Sequence, residues 1–156
     1  MSEDKYRAAL DAAAKQLSYR ALSAKMLRDK LLAKGHDEQA ADYALAWLTE
    51  RSLLNDEVYA ESVVRGYTRK GYGAARIRQE LTRRGIDRET AETAMQTFSP
   101  DEGQMLALLE KRLHGDVSDR KEIEKAVAAL QRRGFAWSDI KRALELYGDT
   151  VIAIED

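Results

Sequence analysis

At 156 residues, with 34% charged side chains and a formal net charge of −1, the chain has room for one ordinary domain or a short array of small units. Alanine (24) and leucine (18) far outnumber Val, Ile and Thr together (19), and there is one proline, a balance that favours helix over strand. The lack of cysteine excludes disulfides, thiolate metal sites and a cysteine nucleophile, and the longest uncharged run, Thr93 to Pro100, is eight residues, too short for a membrane span.

The opening MSEDKYRAAL lacks the basic start and apolar stretch of a secretory signal, so a cytoplasmic protein is expected. A first helix is expected over Asp4 to Tyr19, a second from Ser23 to Lys34 and a third from Asp37 to about Arg51. Asn55 can cap a fourth running to Lys70, with Tyr59, Val63 and Tyr67 on one face. Gly71-Tyr72-Gly73 breaks it. A fifth, with Ala74, Ile77 and Leu81 as its apolar stripe, ends at Gly85. Asp87 caps a sixth that carries Ala91, Ala94, Met95 and Phe98 inward. Ser99-Pro100-Asp101-Glu102 reads as a capping box with proline at the first helical position. The seventh helix then ends near His114-Gly115, the eighth runs from Asp119 to Arg133 and the ninth from Trp137 to Tyr147.

These elements repeat. Leu31-x-x-Lys34-Gly35, Leu81-x-x-Arg84-Gly85 and Leu130-x-x-Arg133-Gly134 place glycines 50 and then 49 residues apart. Apolar pairs follow at matching offsets: Ala44-Leu45, Ala94-Met95 and Ala143-Leu144. The expected fold is all-α, with three tandem three-helix repeats over 1–53, 54–99 and 100–150 and a C-terminal tail over 151–156. Units this small need their neighbours to bury enough apolar surface, so an elongated, curved array is expected.

Catalytic chemistry has little to work with. His36 and His114 fall in different repeats, and neither has a second metal ligand three or four residues away. His36 takes the packed slot of Ile86 and Phe135, and His114 sits in a last helical turn, where a cation suits the dipole. There is no GxxxxGK, GxGxxG, GxSxG or HExxH pattern, and the glycines of Lys70-Gly71-Tyr72-Gly73 follow a helix instead of a strand. Glu122 and Glu124 lie along one helix without a converging pocket. No enzyme, cofactor or metal is expected.

Charge distribution is the better lead. Arg65 to Arg88 holds eight basic residues against Glu80 and Asp87, whereas from Asp101 onward twelve acidic residues face nine basic ones. With Ile77 and Leu81 inward, Arg76, Gln79 and Arg83 project from the other side of their helix. Arg65, Arg69, Lys70, Tyr72 and Arg84 extend that face, which could meet phosphate or an acidic protein, with tyrosine free to stack. The plainer alternative is a solvated arginine-rich face. Sequence-specific reading of DNA is disfavoured, because the third helix of the middle repeat opens Asp87-Arg88-Glu89, too acidic for a major groove.

The string Arg69-Lys70-Gly71-Tyr72-Gly73-Ala74-Ala75-Arg76-Ile77-Arg78-Gln79-Glu80-Leu81-Thr82-Arg83-Arg84-Gly85-Ile86 resembles the central signature of the RecX family. Ser52 to Glu61, Ser23 to Gly35 and Arg132 to Phe135 resemble that family's other repeat segments, so the likeness runs from about Tyr19 to Tyr147. Ser52 departs from it, standing where glycine is commoner. The resemblance implies a monomer without catalytic residues that enters the groove of the RecA–DNA filament. It also implies inhibition of RecA's ATP hydrolysis, strand exchange and co-protease activity, and so damping of the SOS response. Weak binding to single- or double-stranded DNA by the basic middle is the accompanying expectation. The competing readings are a non-sequence-specific nucleic-acid-binding helical module and a scaffold for some other protein.

Overall fold

The computed structural model describes residues 2–155, with the side chains of 4–151, and among them contains nine helices and no strand. These are α1 (Ser2–Tyr19), α2 (Ala24–Ala33), α3 (Glu38–Glu50), α4 (Asp56–Arg69), α5 (Ala74–Arg83), α6 (Arg88–Met95), α7 (Glu102–Leu113), α8 (Arg120–Arg132) and α9 (Trp137–Glu155). The all-α, three-by-three reading holds.

Local chemistry sets most of the helix starts. The side chains of Ser23, Asp37, Asn55, Asp87 and Asp119 each accept a first-turn N–H, satisfying donors that a helix start leaves orphaned. Two boundaries differ from the sequence reading. Asp101 caps α7, accepting from Gln104 N at 3.1 Å, so Pro100 precedes the cap and Ser99 does not serve as one. The last helix runs past Tyr147 to Glu155, so the residues set aside as a tail extend α9, and Val151 is buried.

The chain forms two compact units. One holds the chain up to Ser62 together with Leu81–Ala94; the other holds Val63–Glu80 together with the chain from Met95. In the first, Ala9 and Ala13 of α1, Leu27 and Leu31 of α2, and Ala40, Ala41, Ala44 and Leu48 of α3 make the core. Alanines on α1 and α3 let the two helices approach closely. In the second, Met105, Leu109 and Leu113 of α7 pack with Ala126 and Leu130 of α8 and with Ile140, Ala143 and Tyr147 of α9. Burial, and then a hydrogen bond to Glu110 at 2.6 Å, push the Tyr147 phenol above its ordinary pKa, while a 2.7 Å bond from Gly115 N opposes the rise.

Each unit contains one copy of the same joint, in which the start of one repeat's second helix meets the glycine turn that closes the next repeat's. In the first unit the buried Ser23, which caps α2, also donates its hydroxyl to the carbonyl of Arg84. In the second, Gly73, twelve residues before Gly85 as Ser23 is before Gly35, donates its N–H to Arg133 O at 2.8 Å, and Ala75 N donates to Gly134 O at 3.1 Å. A Cβ at Gly134 would stand 2.4 Å from Arg76 N, and one at Gly73 would stand 2.3 Å from Phe135 N. Gly134 also has φ +94, so its conformation and its contact both require glycine. The third repeat departs from the pattern. Its second helix, α8, has 13 residues where α2 and α5 have 10, and its cap, Asp119, lies fifteen residues before Gly134.

Candidate functional site

Six of the eight basic-face residues lie in the second unit, and Arg83 and Arg84 lie in the first. Arg65 and Arg69 are exposed on the last turns of α4, Lys70 is exposed just beyond its end, and Gln79 is exposed on α5. Arg84 is half-buried and anchored: its guanidinium donates to Tyr59 Oη at 2.7 Å and lies 5.9 Å from that ring. Arg83 is exposed and engaged in interactions of its own.

Arg76 does not project freely. Its backbone and Cβ abut Gly134, and its guanidinium lies 5.5 Å from the Tyr72 ring and 3.4 Å from Glu80, which is 1% exposed. A helical wheel drawn on α5 alone puts Arg76 opposite Ile77, but the joint to the third repeat covers that side. Tyr72 differs from expectation in the same way. Tyr67 packs on it at 5.4 Å, and the guanidinium of Arg133 joins that of Arg76 over its ring, at 5.3 Å. Arg133 also donates to Lys70 O and Gly71 O, at 3.3 and 3.4 Å. Two cation–π contacts and these bonds hold the glycine turn, with the Tyr72 ring half-buried.

Beside this turn opens a groove of about 630 Å³. Ala107 and Leu108 of α7 and Ala129 and Leu130 of α8 supply an apolar floor, and Lys70, Lys111, Arg112, Arg132 and Arg133 stand around it. No carboxylate lines it. Of these cations the sequence reading singled out Lys70 alone, since the acidic balance of the third repeat hid the others. Among the described residues there is no cluster of metal-ligating side chains, and no helix is long and apolar enough to cross a membrane.

Three consecutive stretches match the three-helix domains of RecX: residues 9–48 the first, 55–95 the second and 101–144 the third. Regulatory protein RecX of Stenotrophomonas maltophilia is 37% identical over 123 residues, 78% of this chain and 76% of its own. The chain belongs to the RecX family. The RecX regulatory protein of Vibrio parahaemolyticus is 36% identical, over 86% of this chain and 88% of its own. The crystal structure of RecX from Lactobacillus salivarius superposes with a TM-score of 0.85 at 27% identity, covering 93% of this chain and 97% of that one. Ser52 has a φ of +57, in the left-handed region where glycine is favoured.

Proposed function

We propose that this protein binds the RecA filament on DNA and restrains its ATP hydrolysis, strand exchange and co-protease activity. It acts as a cytoplasmic monomer without cofactor or catalysis of its own. Membership of a family of regulatory proteins carries the reading, and the exposed cations at the end of α4 supply a surface suited to a filament rich in phosphate and acidic side chains. Contact with DNA alone is weak and indifferent to sequence, because the middle repeat supplies a handful of phosphate contacts while the chain from Asp101 onward carries twelve acidic residues against nine basic ones.

The test is DNA-dependent ATP hydrolysis by RecA in the presence of the protein. Arg65→Glu/Arg69→Glu is the informative variant, because both side chains are exposed while Arg76 belongs to a joint. Each exposed substitution shifts stability by only about 0.5 kcal/mol, whereas reversing charges that become buried on binding costs about 2–5 kcal/mol. The variant should melt near the parent temperature and inhibit far more weakly. If the parent leaves hydrolysis unchanged at micromolar concentration, the reading fails. Titration of a labelled single strand at several salt concentrations checks the DNA component: affinity should fall with salt by a slope of about −0.7 per phosphate contact.

A further inference from the structure

The groove beside the glycine turn gathers five cations with no carboxylate among its lining residues. Elsewhere several cations are paired: Lys25 with Asp29 at 3.1 Å, Arg28 with Asp42 at 2.8 Å, Lys125 with Glu122 at 3.2 Å and Arg142 with Glu102 at 3.0 Å. Among the described residues, Lys111, Arg112 and Arg132 have no such partner, although all three are exposed. The neighbouring carboxylates are engaged elsewhere. Glu110 is held by the Tyr147 hydroxyl, Glu124 pairs with Arg120, and Asp119 caps α8. The third repeat is acidic in composition, yet its groove is purely cationic.

The floor decides what such a groove suits. Ala107 is exposed and Leu108 half-buried, so apolar surface lies open between two helices that carry the cations. We infer that this groove docks an acidic amphipathic helix of another protein, its carboxylates meeting Lys111, Arg112 and Arg132 and its apolar face lying on the Ala107–Leu108 floor. An apolar helix face laid into an interhelical groove is a recurrent mode of recognition, and unpaired arginines suit carboxylates in particular. A polynucleotide fits less well. Channels for single strands add aromatic platforms to their cations, but here Tyr72 already has two guanidinium groups against its ring and Phe135 is only 6% exposed.

The inference does not depend on the recombinase reading, and its test needs neither RecA nor a filament. The full chain is titrated with three fluorescein-labelled probes, the first a peptide of Glu, Ala and Leu, about sixteen residues or ~24 Å of helix, with leucines at i, i+3, i+4 and i+7. Polyglutamate and oligothymidine of matching length are the others. The amphipathic peptide should bind at least about tenfold more tightly than either. Ala107→Glu and Lys111→Glu/Arg132→Glu should each weaken it by about tenfold or more, and Lys121→Glu, outside the groove, by less than about twofold. Circular dichroism checks that each variant stays folded, and if Ala107→Glu does not, the double charge variant decides. Polyglutamate binding as tightly as the peptide would reduce the groove to counterion attraction and overturn the inference. Tighter binding of oligothymidine, lost in the same variants, would assign the groove to nucleic acid instead. No peptide binding, or binding indifferent to the groove variants, would also overturn it.

Discussion

The joint in the first unit and its counterpart in the second join the same two elements by different atoms. In the first, a serine hydroxyl reaches the Arg84 carbonyl, and the atoms nearest Gly85 are Cβ, Cγ and Cδ of Lys25. In the second, backbone N–H groups of Gly73 and Ala75 bond directly to the Arg133 and Gly134 carbonyls, and Gly134 faces the main chain of Arg76. Cγ and Cδ of Lys25 can turn aside, whereas Lys25 Cβ and the main chain of Arg76 move only with the first turns of their helices. The first joint can relieve part of its overlap and the second none of it. The two joints therefore hold alike yet should tolerate injury differently, the second being the more brittle.

Substitution at the turn glycines measures that difference. Gly134→Ala should cost most, about 2–5 kcal/mol, combining about 1–2 for a left-handed alanine with about 1–3 for overlap with α5. Gly85→Ala shares the backbone cost, but Cγ and Cδ of Lys25 can turn aside and leave only its Cβ in overlap, so about 2–3 kcal/mol is expected. Urea denaturation compares them, and equal losses would mean that the second joint yields as readily as the first. Ser23→Ala should cost about 1–2 kcal/mol, since it removes the cap of α2 and the donor to Arg84 O together. A neutral result there would show the hydroxyl contact to be incidental. Gly35→Ala supplies the baseline, because φ is +98 but nothing lies within 4 Å of the added carbon; about 1–2 kcal/mol of backbone strain is expected. Ser52→Gly should move the other way, gaining up to about 1 kcal/mol by relieving the left-handed serine. A loss at that position would mean that the strain is already compensated.

What the sequence made legible was whatever is decided within a few residues. The repeat was readable because each glycine turn needs the same backbone geometry, and the caps at Asn55 and Asp87 were readable because an oxygen reaches its own first turn. Ser23, Asp37 and Asp119 were read only as the places where helices begin. The start of α7 was misplaced because Ser99-Pro100 and Asp101 are both good starting chemistry, and the choice between them depends on geometry. Arg76 was set facing outward because a helical wheel knows one helix, whereas its surroundings include Gly134, 58 residues away. The cationic groove was hidden by arithmetic on net charge. Twelve acids against nine bases describes a composition, and only the fold shows Glu110, Glu122 and Glu124 spent on other partners.

The longer α8 bears on how such a molecule could grow. Where Ser23 and Gly73 stand at a helix start, the corresponding residue of the last repeat, Glu122, lies inside α8, one turn beyond the Asp119 cap. An incoming glycine turn would meet a helix wall bearing a carboxylate in place of a donor. Duplicating the last repeat in tandem would therefore add a module without a seat, loosely tethered instead of stacked. Trimming the first turn of α8 and placing Ser or Gly at position 122 would be the prerequisite for a longer array. Shortening that single turn is a design route to extended variants.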